Sequence, residues 1–241
     1  MQTGRRLLWG NAMRLAPNLA EERALWLQGL DLVAGVDEVG RGPLAGPVVA
    51  AAVVLSPSSD FRWLFHVRDS KLLDAARREE LATYIWRDAF AVGVGFVSHT
   101  AVDRIGIAEA TRQAMLRAIG ELRRRPQHLL FDALSLKACS LPQKGIIDGD
   151  ATCISIASAS IVAKVARDRY MRGHDRRFSG YGFARNKGYA TPEHLAALRR
   201  LGPCEIHRRS FAPVREMVAG ASSTAMTSIR WSAGQSGLAW A

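Results

Sequence analysis

The sequence has few cysteines and no long apolar segment, and each absence excludes a class of protein. Its three cysteines, Cys139, Cys153 and Cys204, are an odd number and lack the CxxC spacing of a zinc site. A disulfide framework is therefore not expected, and a reducing compartment suits the chain. No stretch approaches the ~20 apolar residues of a membrane span, and the N-terminus lacks the continuous apolar run of a signal peptide. We expect a cytoplasmic protein without a membrane partner.

Lysine is also scarce, yet the chain is strongly basic. It has five lysines, but Lys and Arg together number 33 against 22 acidic residues, and the net charge is +11. A field of this sign attracts polyanions, and a pI near 10.4 is typical of nucleic-acid-binding proteins. A basic surface that serves solubility, or a codon bias toward arginine, would produce the same numbers. Charge alone therefore makes nucleic acid only one of the possible partners.

Apolar periodicity predicts strands that alternate with helices between residues 31 and 217. Strands are expected at 32–36, 48–55, 91–98, 128–132 and 145–148, and helices at 72–89, 107–124, 152–172 and 191–201. The alternation predicts an α/β layer that begins with an antiparallel hairpin. Residues 1–30 are interpreted as an N-terminal extension with a short helix at 19–30. Residues 218–241 contain little charge and are interpreted as a flexible tail.

Four acidic residues lie at the ends of segments that should be buried. Asp37 and Glu38 follow the first strand, Asp132 ends a later strand, and Asp150 precedes the long helix. Several carboxylates buried together would repel each other, and a hard divalent cation removes that cost. Two such ions about 3.5–4 Å apart can activate water for phosphodiester cleavage. Because Asp at a strand end is often a helix cap or a turn residue, spacing alone leaves a metal site and ordinary capping equally open.

Longer motifs resemble those of the ribonuclease HII family. Segment 35–49 reads GVDEVGRGPLAGPVV and carries most of the resemblance. Further blocks follow in the family's order at 69–71, 159–165, 167–169, 181–183, 187–189 and 207–211. The resemblance covers roughly residues 31–217. It implies the α/β fold of ribonuclease H, a mixed sheet flanked by helices with a helical C-terminal extension.

The resemblance also implies an activity. It assigns Asp37, Glu38, Asp132 and Asp150 to catalysis and to binding Mg²⁺ or Mn²⁺. The implied reaction is hydrolysis of the RNA strand of RNA–DNA hybrids, and incision 5′ of single ribonucleotides in duplex DNA, as in ribonucleotide excision repair. Two-metal catalysis would leave 3′-hydroxyl and 5′-phosphate ends. We expect a monomer whose partners are these two duplex substrates.

Further positions in the motifs correspond to substrate-binding residues. The resemblance assigns the backbone of Gly40, Arg41 and Gly42 to reading the 2′-hydroxyl that distinguishes RNA from DNA, although a plain tight turn would use the glycines equally well. Tyr189 corresponds to a tyrosine that stacks beside the ribonucleotide junction. The expected phosphate contacts are Ser70, Lys71 and Lys164.

Two alternatives and two departures from the family pattern remain. Ribonuclease HIII carries a separate N-terminal substrate-binding domain, for which thirty residues are too few. A non-catalytic nucleic-acid-binding protein on the same scaffold is the other alternative, although all four acids are present. The departures are Asp148, where many members have lysine, and Arg68, where Asn or Asp is common. The histidines without ligand spacing receive no role: His66, His99, His128, His174 and His194.

Overall fold

The computed structural model describes residues 16–58, 62–67, 70, 73–133 and 135–219. The strands are β1 Val33–Val39, β2 Val48–Leu55, β3 Ala91–Val97, β4 His128–Asp132 and β5 Gln143–Ile146. The helices are α1 Ala20–Trp26, α2 Ala75–Asp88, α3 His99–Ile105, α4 Ile107–Gly120, α5 Gly149–Thr152, α6 Ile154–Asp175, α7 Phe183–Asn186 and α8 Pro192–Leu201, and α9 spans 212–219. Across the described residues, no helix combines the length and apolarity that a membrane crossing needs.

The strands form one mixed sheet in the order β3-β2-β1-β4-β5. Strand β1 pairs antiparallel with β2 and parallel with β4, and β4 pairs parallel with β5. The parallel register sets Val36 beside Phe131. The next residue of each strand is an acid, so Asp37 and Asp132 emerge at the same edge of the sheet.

Helices cover both faces of the sheet. Strand β2 is buried along its whole length: Ala51, Val53 and Leu55 pack in one apolar cluster with α2 and α6, and its alternate residues pack in another with α4. Helix α6 approaches β1 very closely, because a Cβ at Gly35 would stand 2.1 Å from the backbone carbon of Ser155. The mixed sheet between helices confirms the predicted fold class.

Several element boundaries differ from the sequence-based prediction. Strand β1 continues past residue 36, because Asp37, Glu38 and Val39 keep pairing with β2. The two acids therefore lie within a strand and not in the turn after it. The expected helix 152–172 begins later, as α6 at Ile154, because the extended backbone of Cys153 separates it from the short helix α5. Helices α3 and α7 were not predicted, and α2 begins at Ala75 because the side chain of Asp74 caps its N-terminus.

The segments outside the sheet are packed against it where they are described. Glu22 of α1 is buried and accepts hydrogen bonds from the Ser155 amide (2.7 Å) and the Cys153 thiol (3.1 Å), so the N-terminal extension contacts the start of α6. Helices α7, α8 and α9 form the helical C-terminal extension, which packs around Leu44 and Met171. Helix α9 runs two residues past the expected boundary at 217. Residues 1–15 and 220–241 lie outside the described residues.

Candidate active site

The four acids singled out in the sequence meet in one cleft of about 210 Å³ at the carboxyl edge of β1 and β4. Strand β1 provides Asp37 and Glu38, β4 provides Asp132, and α5 provides Asp150. A hydrogen bond from the Gly149 amide to Asp132 Oδ1 (2.9 Å) joins the end of β4 to the start of α5. This contact explains how two acids 18 residues apart reach the same place.

Burial makes this cluster electrostatically costly without a cation. Asp37 and Asp150 are each only 7% exposed. Burial, together with the neighbouring charge of Glu38, raises the pKa of Asp37 to about 8. Burial also raises the pKa of Glu38, although the guanidinium of Arg41, 3.2 Å away, opposes that shift. A bound cation would favour the ionised form of these carboxyl groups.

The chemistry of the donor set fits hard divalent ions. The acids offer carboxylate oxygens, which suit Mg²⁺ and Mn²⁺. Among the described side chains, no group of three or more His, Cys, Asp or Glu residues is arranged to hold a single ion. An arrangement in which each ion takes few protein ligands and keeps several waters therefore fits this cleft better than a closed protein cage.

Two of the expected phosphate contacts line the same cleft. Ser70 is buried and shares a hydrogen bond of 2.9 Å with Ser160. Lys164 donates to Asp168 Oδ1 over 2.7 Å, so its charge is already partly compensated by a neighbour on α6. Lys71 lies outside the described residues.

The two expected recognition elements flank the acids. Gly40 follows β1 with φ +90°, and a Cβ there would stand 2.2 Å from Arg167 Nε, so this position requires glycine. A Cβ at Gly42 would meet no described atom within 4 Å, and the residue is exposed. Tyr189 is 40% exposed and lines the cleft with the acids. Asp148 is exposed and is not among the residues that line the cleft.

Comparison with known proteins identifies the family of the chain that carries this cleft. The model of the ribonuclease HII family matches residues 34–214. Ribonuclease HII of Geobacillus thermodenitrificans is 55% identical over 81% of this chain and 74% of its own length. That of Geobacter metallireducens is 53% identical over 82% of this chain and 95% of its own length. The chain belongs to the ribonuclease HII family. It is therefore an enzyme, a metal-dependent endoribonuclease.

Solved structures agree with the fold of a ribonuclease HII. The ribonuclease H2 of Pyrococcus horikoshii is 26% identical with a TM-score of 0.68, over 78% of this chain and 98% of that chain. The ribonuclease HII of Archaeoglobus fulgidus, solved in complex with PCNA, is 28% identical with a TM-score of 0.63, over 73% of this chain and 92% of that chain.

The sequence singled out Arg208 only within the motif block 207–211, as an anchor for the substrate backbone or a helix cap, whereas its buried side chain holds the loop after β1. Arg208 is fully buried and donates to the carbonyl oxygens of Gly40 (2.6 Å), Arg41 (3.0 Å) and Gly46 (2.9 Å). Two of these carbonyls belong to the loop expected to read the hydroxyl. The arginine stands within a motif block, but nothing in the sequence indicates that its side chain turns inward.

A second buried arginine joins that loop to the segment carrying Tyr189. Arg167 of α6 donates to the carbonyl oxygens of Ala45, Pro47 and Lys187, each over 3.0 Å. Its guanidinium carbon lies 5.7 Å from the centre of the Tyr189 ring. The loop after β1 and the segment before Tyr189 are therefore tied to one side chain.

Proposed function

We propose that this enzyme hydrolyses the RNA strand of RNA–DNA hybrids and cuts on the 5′ side of single ribonucleotides embedded in duplex DNA. The observation that carries the proposal is the cleft in which Asp37, Glu38, Asp132 and Asp150 lie together with Tyr189, beside the exposed loop at Gly42. Carboxylates that could serve phosphodiester hydrolysis and an aromatic ring that could stack on a nucleotide line the same cleft. The products would carry 3′-hydroxyl and 5′-phosphate ends.

The four acids would hold two divalent ions, Mg²⁺ or Mn²⁺. When bound, such ions activate a water molecule and stabilise the leaving oxygen. The chain's own residues contribute placement. Asp132 is fixed by the Gly149 amide, and a hydrogen bond from Ser160 opposes the rise in the pKa of Asp37. The ammonium group of Lys164 lies in the same cleft, where it favours a phosphate.

Specificity for ribonucleotides would come from the loop and the tyrosine. Backbone groups of Gly40, Arg41 and Gly42 would pair with the 2′-hydroxyl, and an all-DNA duplex would leave them unpaired. A site built in this way can reject the analogue that lacks the hydroxyl by as much as ~10⁴-fold. Tyr189 would stack on the nucleotide at the junction and report the change from RNA to DNA.

The remaining expectations belong to the same proposal. The catalytic unit would span residues 31–217, with 1–30 as an extension; because 218 and 219 continue α9, the flexible tail predicted for 218–241 would begin after them. The enzyme would act as a cytoplasmic monomer in ribonucleotide excision repair. The net charge of +11 supports a polyanionic duplex as the partner.

A DNA duplex bearing one ribonucleotide tests this proposal when it is incubated with Mg²⁺, Mn²⁺ or a chelator. We expect Asp132→Asn to abolish cleavage and to leave duplex binding nearly unchanged, because the basic surface supplies most of the non-specific affinity. Asp148→Asn is the matched control, since it removes a nearby exposed acid outside the cleft, and it should retain activity. Near-normal turnover by Asp132→Asn, or full activity in excess chelator, would refute the site.

Substrate preference tests the recognition elements separately. Tyr189→Ala should impair the single-ribonucleotide substrate more than a long hybrid, where fewer junctions must be recognised. Equal losses on the two substrates would refute the junction role. Efficient cutting of an all-DNA duplex by the parent enzyme would contradict hydroxyl reading by the loop.

A further inference from the structure

Two buried histidines connect the C-terminal extension to the backbone of Tyr189. His194 lies in α8 and His207 follows that helix, and their side chains are 0% and 1% exposed. Their Nε2 atoms are 3.1 Å apart. Nδ1 of His194 is 2.7 Å from the carbonyl oxygen of Tyr189, and Nδ1 of His207 is 2.9 Å from the amide nitrogen of Cys204. The four contacting groups thus form a continuous line.

These contacts allow one arrangement of protons. A carbonyl oxygen only accepts, so Nδ1 of His194 carries a hydrogen and donates it to Tyr189. A backbone amide only donates, so Nδ1 of His207 accepts from the amide of Cys204, and the thiol of Cys204, 3.1 Å away, can only donate to the same nitrogen. The hydrogen between the rings must then belong to Nε2 of His207, which donates to Nε2 of His194. The chain of hydrogen bonds runs in one direction and requires both rings to be neutral.

The surroundings favour the neutral forms. The rings of Tyr181 and Phe183 pack against the pair, with centroid distances of 5.1 Å from Tyr181 to His207 and 5.3 Å from Phe183 to His194. Burial lowers the pKa of His194, and burial together with the neighbouring His194 lowers the pKa of His207 to about 4. A second proton on His194 would point two N–H groups at each other across 3.1 Å, and one on His207 would point its Nδ1–H at the amide of Cys204 across 2.9 Å.

The segment that carries Tyr189 needs such an anchor. Lys187 and Gly188 both have positive φ, 52° and 84°, so no regular helix or strand determines where the following residue points. The carbonyl oxygen of Gly188 accepts from the Leu44 amide (2.8 Å), and that of Tyr189 accepts from the Thr191 amide (2.8 Å) as well as from His194. Arg167 holds the Lys187 carbonyl and the Asn186 side chain accepts from the Gly188 amide, while His194 is the side chain that holds the carbonyl of Tyr189 itself.

We infer that His194 and His207 are positioning residues that orient Tyr189 toward the ribonucleotide in the cleft. The pair acts through the backbone of Tyr189 and does not touch the substrate. The inference depends on the proposed function in one respect only, the role of Tyr189 in recognising the ribonucleotide. It adds a determinant of the enzyme's preference for single ribonucleotides over long hybrids.

Substitutions of His194 separate positioning from simple packing. His194→Leu fills much of the space and removes the donor, whereas the amide of His194→Asn places a nitrogen near the position of Nδ1. We expect His194→Leu to lower the ratio of kcat/KM on a single-ribonucleotide duplex to kcat/KM on a long hybrid by roughly tenfold, the loss of one hydrogen bond. His194→Asn should restore most of that ratio. His174→Leu is the control, because His174 Nδ1 lies 2.9 Å from a carbonyl oxygen that belongs to Tyr170.

A double-mutant comparison shows whether the histidine acts through Tyr189. In a Tyr189→Ala background, His194→Leu should not change the ratio further. If Tyr189→Ala changes the ratio and His194→Leu does not, the inference is overturned while the proposed function stands. If Tyr189→Ala leaves the ratio unchanged, the junction role of Tyr189 and this inference both fail, while the hydrolytic site is untouched. A loss of stability common to both substrates leaves the ratio unmoved and so cannot imitate the expected result.

Nuclear magnetic resonance provides a test without substrate. In protein labelled with ¹⁵N-histidine, we expect the hydrogen of His194 on Nδ1 and that of His207 on Nε2 at neutral pH. His194→Leu should shift the His207 signals, since it removes the acceptor. The opposite tautomers, or a mixture of tautomers in either ring, would contradict the one-way chain and with it the inference.

Discussion

Replacing Arg208 by lysine tests whether the loop after β1 depends on a buried guanidinium. Arg208 donates to three carbonyl oxygens, those of Gly40, Arg41 and Gly46. Each of the three hydrogen bonds comes from a different nitrogen of the planar guanidinium group. An ammonium group is smaller and stands at a single point, so we expect it to satisfy one of the three oxygens and to leave two without their donors.

The magnitude follows from the two lost bonds. A hydrogen bond from a charged donor contributes roughly 1.5–3 kcal/mol, so Arg208→Lys should lower the free energy of unfolding by about 3–6 kcal/mol. In a domain of this size each 1 kcal/mol shifts Tm by about 2–4 °C, which predicts a fall on the order of 10 °C or more. Many domains have about 5–15 kcal/mol of stability, so the variant should still fold at room temperature.

Calorimetry and cleavage assays together check this prediction. Cleavage of a single-ribonucleotide duplex, measured well below the lowered Tm, should fall because the carbonyl groups of Gly40 and Arg41 are no longer held. Arg209→Lys is the matched control. The side chain of Arg209 is exposed, so this variant should melt at the same temperature as the parent protein. If Arg208→Lys melts within about 2 °C of the parent and cuts normally, the guanidinium does not hold the loop.

Three further predictions concern packing, pH and the tail. Gly35→Ala should reduce cleavage and lower the free energy of unfolding by about 1–3 kcal/mol or more, because a Cβ 2.1 Å from the backbone of α6 forces β1 away from that helix. Gly120→Ala is the control: its Cβ would meet no described atom within 4 Å, so thermal stability and cleavage should stay intact. The pKa of His207 is lowered from 6.5 to about 4 in the folded protein, so the unfolded chain binds protons more readily and stability should fall as pH drops from 6.5 toward 4. His207→Gln should flatten that part of the Tm profile, and an unchanged slope would contradict the assignment. Deleting residues 220–241, whose only charged residue is Arg230, should leave Tm and turnover nearly unchanged, whereas a large loss of either would show that the tail contacts the enzyme.

Local patterns in the sequence were sufficient for the strands and caps that depend on neighbouring residues. The uninterrupted apolar run 48–55 became β2 with the predicted bounds, and 128–132 became β4. Thr191 caps α8 with Pro192 at its first position, as the Thr-Pro-Glu sequence indicated. Family motifs singled out the four acids, and the structure brings them into one cleft. These features depend on short-range periodicity or on residues that stand together in a motif.

Only the tertiary structure decided which polar side chains turn inward. Three basic residues that the sequence would place at the surface are fully buried: Arg167, Arg208 and His194. Their hydrogen-bond partners come from other parts of the chain, so only the folded structure reveals them. Arg208 donates to carbonyl groups more than 160 residues away, a distance at which helical or strand periodicity carries no information. The length of β1 also depends on a distant segment, because pairing with β2 extends the strand through Asp37 and Glu38. Whether a polar group is buried depends on the donors or acceptors that the whole fold brings to it, since burial without them costs too much free energy.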